Sequence, residues 1–283
     1  MFDSISKLFK RKKHQHVPVI TPKPEHVAVI MDGNGRWANS QGLSRVAGHK
    51  RGVDSVKALI KSCISHEIPV LSIFAFSSEN WNRSEEEVAA LMELLVQALE
   101  TQTKKLNENG VRLQLIGDLS RFGEKIQRLA ISAQESTANN DKLIFNVAIN
   151  YGGRWDITQA CQKVAEKVAA GELIPSDITE QTINDHLSTS GMPDPDLYIR
   201  TSGEYRISNF LLWQAAYAEF YFTDILWPDF DEDAFTQALL KYTDRDRRYG
   251  SAVDKVKTNK KVNAVSSIGS STNSKDNTNK DAA

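Results

Sequence analysis

The sequence predicts an α/β fold: a single domain with a mainly parallel six-stranded sheet covered by helices on both faces, and an apolar channel between sheet and helices. Three observations predict it. Apolar, β-rich runs alternate with stretches of helical periodicity along most of the 283 residues. Those runs are continuously apolar rather than alternating, as strands buried on both faces are. No linker interrupts the alternation between about residues 20 and 250, so one layered domain accounts for it.

The first strand is expected at Val27–Met31, an unbroken apolar run that ends at Asp32 and Gly33. A helix near 48–66 follows from the stripe Val53, Val56, Leu59, Ile60 and Cys63. After a strand at Val70–Phe76, Ser84 reads as an N-cap, with Glu87 as the capping-box glutamate of a helix over 85–108. Its apolar residues from Val88 to Leu99 cover an arc of about 220°, roughly twice the stripe of an ordinary surface helix. Such a helix needs two apolar partners, the sheet and either a second subunit or an apolar ligand channel. Further strands are expected at Val111–Ile116, Leu143–Ile149, Leu197–Ile199 and Glu219–Phe222, with helices near 119–137, 154–170, 179–188, 209–216 and 232–248.

Composition narrows the function classes. No apolar run is long enough to cross a bilayer, and the first residues lack the apolar core of a secretion signal. Cys63 and Cys161 stand alone in helical segments and read as core residues of a protein in a reducing, cytoplasmic compartment. The formal charge of −1 hides an asymmetry: residues 1–16 carry +4 and residues 251–283 carry +3, which leaves −8 for the middle. A globular unit that acidic argues against nucleic-acid binding, and an anionic ligand must meet a local basic cluster. Residues 251–283 read as a disordered polar tail. Residues 1–19 read as a basic leader in which Phe2, Ile5, Leu8 and Phe9 interleave with lysines and Arg11; it could lie on an anionic membrane surface or simply be solvated.

In a parallel sheet, ligands bind beyond the carboxyl ends of the strands. Those ends here read Asp32-Gly-Asn-Gly-Arg-Trp37, Ser77-Ser-Glu-Asn-Trp-Asn-Arg83, Asn150-Tyr-Gly-Gly-Arg-Trp155 and Arg200 through Asn209. Glycines let backbone N–H groups approach an anion, arginines add charged donors, and Asp32 can hold a hard cation against phosphate oxygens. Arg36, Arg83, Arg200 and Arg206 at one rim point to a polyanion site. Gly33-x-Gly35-x-x-Ala38 also satisfies a loose dinucleotide fingerprint, but Arg36 to Gly42 are expected to prolong the loop, and Asp54 sits on a helix rather than at a strand end. A P-loop is absent from the sequence.

Five stretches carry a more specific likeness. His26 to Ala38, Phe74 to Arg83, Asn150 to Asp156, Ile199 to Gln214 and Ala218 to Phe222 resemble, in order, the motifs of the cis-prenyltransferases. The likeness covers about residues 26–250 and neither tail. It implies stepwise condensation of isopentenyl diphosphate onto farnesyl diphosphate, Mg²⁺ dependence, a homodimer, and a long Z,E-polyprenyl diphosphate, with undecaprenyl diphosphate for cell-wall glycan synthesis as the expected product. By the same likeness, Gly33, Asn34, Gly35 and Arg36 should cradle the allylic diphosphate, with Trp37, Arg45 and His49 completing that pocket. Asp32 and Glu219 are the expected metal ligands. Arg200, Arg206, Ile207 and Ser208 should hold isopentenyl diphosphate, and Ser77, Ser78, Glu79, Asn80, Trp81 and Arg83 should form the loop beside the reacting carbons. Asn80 is implicated in proton removal, although an amide is a feeble base, so it would orient substrate or relay the proton. Arg245 to Gly250 resemble an element that reaches the partner subunit, and the channel floor is expected near Ala75 and Leu143. The alternative is a non-catalytic prenyl-lipid-binding or scaffold subunit; intact Asp32, Asn80, Arg200, Arg206 and Glu219 argue against it.

Overall fold

A computed structural model describes residues 20–244. In chain order the elements are β1 (His26–Ile30), α1 (Asn34–Ser40), α2 (Arg45–Ser65), β2 (Val70–Ser77), α3 (Glu85–Glu108), β3 (Val111–Ile116), α4 (Glu124–Thr137), β4 (Leu143–Tyr151), α5 (Gly153–Ala169), α6 (Glu180–Asn184), β5 (Leu197–Arg200), β6 (Glu219–Phe222) and α7 (Glu232–Thr243). All six strands are parallel, in the order β3-β4-β2-β1-β5-β6. Side chains alternate across a strand, and β1 shows the consequence. Val27 and Val29 enter one core with Leu59 of α2, Leu99 of α3 and Phe235 of α7, whereas Ala28 and Ile30 face a second core with Phe210, Leu211 and, packed against it, Trp155 of α5. Helices therefore cover both faces, as the continuous apolar strands required.

The expected elements depart from the structure in a few places, each for a local reason. Arg36 to Ser40 do not prolong a loop: they form α1, begun by Gly33 in the left-handed region at φ 107°. This short helix lacks an apolar stripe, so periodicity is silent about it. Packing holds it, because a Cβ on Gly48 of α2 would lie 2.1 Å from the Asn34 carbonyl oxygen. The dinucleotide reading thus fails on other grounds than the helix start: β2 ends in Ser77, not in an acid, and Asp54 on α2 pairs with Lys57 at 3.0 Å. Around 119–137, a 3-10 turn at Leu119–Arg121, capped by Asp118, precedes α4, which starts afresh after Gly123. The helix expected over 209–216 is replaced by an irregular segment with Ser208, Asn209 and Leu211 at φ 47°, 62° and 43°, and only a 3-10 turn at Gln214–Tyr217. Asn209 explains this: its carbonyl accepts from Gly153 N at 2.6 Å and its Oδ1 from Arg154 N at 2.9 Å, which ties the segment to the end of β4 instead of to a helix. The 179–188 helix shrinks to α6.

Beneath the sheet's other end lies a buried polar chain. His26 is fully buried, with Nδ1 2.7 Å from the Pro193 carbonyl and Nε2 2.7 Å from Ser72 Oγ, which also accepts from Asn146 Nδ2 at 2.9 Å. The carbonyl needs a donor, so Nδ1 carries the proton and Nε2 accepts. Burial drives the His26 pKa down to about 4, against the raising effects of the Pro193 bond and Asp196. The folded state therefore favours neutral His26, and stability present above pH 6.5 is lost as the pH falls from there towards 4, by about 3 kcal/mol in all. Denaturant melts at pH 7.5 and 5 should show His26→Gln losing about 2 kcal/mol less stability on acidification than the parent protein, the part of the loss that falls between those pH values.

Candidate active site

The carboxyl ends of β1 and β5 meet because Ile30 pairs with Arg200. Asp32 is fixed there by its backbone: its N–H donates to Thr201 Oγ1 at 3.0 Å, and Thr201 Oγ1 donates back to the Asp32 carbonyl at 2.6 Å. Its Oδ2 lies 2.9 Å from Arg200 Nη2 and 3.9 Å from Arg36 Nη2. Arg200, only 3% exposed, also donates from Nη1 to Ser208 Oγ at 2.7 Å and to the Arg206 carbonyl at 2.6 Å. Glu204 binds Arg36 Nη2 at 3.2 Å and, through its other oxygen, Arg206, so one carboxylate joins the two arginine groups of the rim. Arg36 also donates to Ser202 Oγ. Gly33 is required on two counts, its positive φ and a Cβ that would come within 2.9 Å of Ser202 Cβ.

A second basic group hangs on Glu87. Its carboxylate takes Arg83 at 2.7 Å, Arg45 at 3.3 Å and His49 Nε2 at 3.4 Å. The capping box is therefore only half made: Ser84 Oγ accepts from Glu87 N at 3.3 Å, while the Glu87 side chain serves the cations. Burial works to raise the Glu87 pKa, but the charges of Arg83 and Arg45 and the bonds from His49 and Arg83 outweigh it and hold the carboxylate ionised. Burial lowers the His49 pKa, assisted by Arg83 and Arg45 and opposed by Glu87. His49 is thus a neutral imidazole at neutral pH, donating from Nε2. Glu87→Gln should loosen all three partners and raise the KM for a phosphorylated substrate bound at this rim about tenfold, since bonds to charged groups contribute about 1.5–3 kcal/mol each. Steady-state kinetics beside a thermal melt checks this.

The turn after β2, a 3-10 turn over Ser78–Asn82, brings Asn80 to the same rim. Asn80 Oδ1 accepts from Ser77 N at 3.0 Å, which leaves its amide N–H groups as donors. Burial alone would raise the Glu79 pKa, yet hydrogen bonds from its own backbone, Ser77, Asn209 and Ser78 hold it low.

From this rim a cavity of about 1300 Å³ runs between the sheet and α2 and α3. This exceeds the ~300–1,000 Å³ usual for small-molecule sites. Glu87 and Asn109 both line it, so it follows α3 for about 33 Å at 1.5 Å per residue. Its walls are Val53, Val56, Ile60 and Ile64 of α2, Leu91, Leu94, Leu95 and Ala98 of α3, and Ile73, Leu113 and Phe145 of the sheet. The unusually wide apolar arc of α3 thus has its second partner, the channel. Ala75 lines the channel; Leu143 lies behind it, fully buried and paired with Val111, which lines the far end with Asn109.

Fourteen of the residues expected at the site line this one cavity: Asp32, Gly33, Asn34, Gly35, Arg36, Arg45, His49, Ser77, Glu79, Asn80, Arg83, Arg200, Arg206 and Ser208. Five do not. Trp37 turns outward and donates to Asp229 Oδ1 at 2.9 Å. Ile207 packs against the second core, Ser78 lies against Gly152, and Trp81 is enclosed by other side chains. Glu219 begins β6 opposite Leu197, which pairs with Val27, so it sits about 10 Å below the carboxyl-end rim. Within one chain, Asp32 and Glu219 are not brought together. Glu87, Ser202 and Glu204 went unread as site residues; the only signal was that each lies within or beside a motif, and an acid among arginines reads as a cap or turn until the pairing is seen.

Among the described residues no three His, Cys, Asp or Glu side chains gather as a metal cage. Asp32, beside the arginines of the rim, could hold Mg²⁺, which takes one or two carboxylates and completes its shell with phosphate oxygens and water.

A polyanion rim opening into a long apolar channel defines a protein that holds a phosphorylated head and a hydrocarbon tail. Residues 30–250 match a family model described as Prenyltransf, putative undecaprenyl diphosphate synthase. The ditrans,polycis-undecaprenyl-diphosphate synthase ((2E,6E)-farnesyl-diphosphate specific) of Vibrio vulnificus is 54% identical over 234 residues, 83% of this chain and 93% of that one. The protein of the same name from Pseudomonas syringae pv. tomato is 53% identical over 233 residues, 82% and 93% of the two chains. Among solved structures, lavandulyl diphosphate synthase from Lavandula x intermedia in complex with dimethylallyl diphosphate superposes with a TM-score of 0.79 at 41% identity, over 81% of this chain and 98% of that one. A probable undecaprenyl diphosphate synthase from Campylobacter jejuni gives 0.68 at 35%, over 81% and 99%. The chain belongs to the cis-prenyltransferase family.

Proposed function

We propose that this prenyltransferase adds isopentenyl diphosphate stepwise to farnesyl diphosphate with cis geometry, making a long Z,E-polyprenyl diphosphate of the undecaprenyl type. The observation that carries this reading is the single cavity joining two arginine groups to a 33 Å apolar channel, about the length of α3 it follows. The names of the relatives support the choice of primer and product. Arg36 with the Gly33–Gly35 backbone would hold the allylic diphosphate, and Arg200, Arg206 and Ser208 the diphosphate of isopentenyl diphosphate. Donors fixed around the leaving group stabilise the charge that grows on it as the allylic C–O bond breaks. When bound at Asp32, Mg²⁺ supplies further positive charge to those oxygens. Asn80 would orient isopentenyl diphosphate through its amide N–H groups, the departing proton passing to a diphosphate oxygen, and the channel takes the growing hydrocarbon. Purified protein incubated with farnesyl diphosphate, labelled isopentenyl diphosphate and Mg²⁺ should yield butanol-extractable label; none would overturn the reading, and chromatography against length standards identifies the product.

The active form is a homodimer in this reading. β6 pairs only with β5 among the described residues, and Tyr205, whose ring meets that of Phe222, and Tyr217, two residues before Glu219, are exposed near that edge, an apolar border that a second copy would cover. Light scattering after gel filtration tests it. Arg245 to Gly250 and residues 1–16 lie outside the described residues, and no helix among those described is long and apolar enough to cross a membrane. A cytoplasmic enzyme reaching the inner membrane face through its basic leader suits a lipid product; deleting residues 1–16 should weaken binding to anionic liposomes and leave turnover on soluble substrate unchanged.

A further inference from the structure

The 3-10 turn that carries Asn80 to the rim is well closed only at its start, where Ser77 N donates to Asn80 Oδ1, Ser77 Oγ accepts from Asn80 N, and Glu79 accepts from Ser77, Ser78 and Asn209. Its second half has the bond from Arg83 N to the Asn80 carbonyl, so the stretch over Trp81 and Asn82 needs an anchor outside the turn. Trp81 supplies one by turning away from the cavity. Its Nε1 donates to Asn150 Oδ1 at 2.8 Å, at the end of β4. The Arg121 guanidinium carbon stands 4.6 Å from the centre of its ring, and the rings of Phe76 and Phe122 lie 5.1 and 5.6 Å away. Asn150 is itself held in the left-handed region, φ 47°, where asparagine is one of the few tolerated residues. Its Nδ2 donates to the Asp118 carbonyl at 2.7 Å, and Asp118 N donates to the Asn150 carbonyl at 3.3 Å. Asp118 then caps the turn that bears Arg121, accepting from Ser120 N at 2.9 Å. One indole thus ties together the connections that leave β2, β3 and β4. Arg121 makes no ion pair among the described residues, so its position over the indole is not the by-product of another partner.

We propose that Arg121 and Asn150 are positioning residues that latch the substrate turn through Trp81, and that Trp81 serves as the bolt of this latch rather than as a substrate contact. The proposal rests on the prenyl-transfer reading for its kinetic consequence. Asn80 is the neighbour of Trp81 in sequence and Arg83 is two residues on, so a shift of the indole is passed directly to both. A misplacement of about 1 Å at a reacting group can cost about a hundredfold in rate.

Arg121→Met keeps the apolar stem of the side chain and removes its charge. The expected result is a fall in kcat of roughly 2- to 30-fold, the equivalent of one lost cation–π contact, larger than any rise in the KM for farnesyl diphosphate, because Gly33 to Arg36 stand outside the latch and Arg83 reaches that pocket only through Glu87. Arg121→Lys should restore most of the loss. In protein labelled with 5-fluorotryptophan, the Trp81 resonance, identified by its disappearance in Trp81→Phe, should shift in Arg121→Met while those of the other four tryptophans stay in place. A merely structural role would lower the melting temperature without moving that resonance or kcat well below the melt. Parental kcat with an unshifted Trp81 signal in Arg121→Met would overturn the latch, as would a large rise in the farnesyl diphosphate KM of Trp81→Phe with kcat intact, which would make Trp81 a substrate contact. If the parent protein makes no product, the prenyl-transfer reading fails while the fluorine shift still decides the latch.

Discussion

Asp32→Ala is expected to lower kcat by about a thousandfold or more. Of the acidic side chains at the mouth, Glu204 and Glu87 are committed to pairs of cations, Arg36 with Arg206 and Arg45 with Arg83, and Glu79 to bonds from Ser77, Ser78 and Asn209, whereas Asp32 meets Arg200 and Arg36 through Oδ2 alone and its Oδ1 has no partner among the described residues. That free oxygen suits Asp32 to hold a cation against the diphosphate proposed to sit on Arg36, and charge stabilisation of a leaving group is commonly the largest single contribution to catalysis. Alanine also strips Arg200 of its partner at 2.9 Å, and Arg200 is buried, so some loss of stability should accompany the loss of rate. Asp32→Asn separates the two effects. It keeps an acceptor for Arg200 while removing the carboxylate, and its melting temperature should stay near that of the parent while kcat remains as low as in alanine. Single-turnover rates with saturating Mg²⁺ provide the check, and near-parental rates in either variant would remove Asp32 from the mechanism.

Arg200→Ala should raise the KM for isopentenyl diphosphate by roughly 10- to 150-fold, the equivalent of about 1.5–3 kcal/mol for a charge-assisted bond. In the free protein, Arg200 spends its guanidinium on Asp32, Ser208 and the Arg206 carbonyl. Its truncation therefore also frees the loop over Arg206 to Asn209, where Ser208 and Asn209 hold left-handed conformations at φ 47° and 62°. Lysine is a poor substitute, because one ammonium group cannot span donors that a planar fork reaches together. Arg200→Lys should recover little of the affinity. Initial rates against isopentenyl diphosphate at fixed farnesyl diphosphate measure both variants, and an unchanged KM in the alanine variant would place the second diphosphate elsewhere.

Much of this molecule was legible from its residues. Strand β3 and helix α3 fall where expected, at Val111–Ile116 and Glu85–Glu108, because an apolar run or a capped, periodic stretch carries its own boundaries. The 220° arc of α3 announced a second apolar partner without saying which. The misses are of another kind. Helix α1 has no apolar stripe and exists because Gly48 lets α2 approach its backbone. The segment after Ser208 had a helical pattern, but Asn209 spends its polar groups on Gly153 and Arg154. Glu87 had the spacing of a capping box, and its carboxylate went to Arg45, His49 and Arg83 instead.

By itself the sequence determined the layered fold, the four arginine-bearing strand ends and the likeness to the cis-prenyltransferases, since each of these is written in local order and local chemistry. Tertiary structure decided which of those side chains meet. Asp32 and Arg200 are 168 residues apart and touch because β1 and β5 run parallel with Ile30 beside Arg200. The same register leaves Glu219 at the lower edge of the sheet, away from Asp32, and packing turns Trp81 from the cavity towards Asn150 and Arg121. Register and side-chain packing are long-range properties, fixed by how whole elements share buried surface, and a residue's neighbours in sequence carry too little of that information to reveal them.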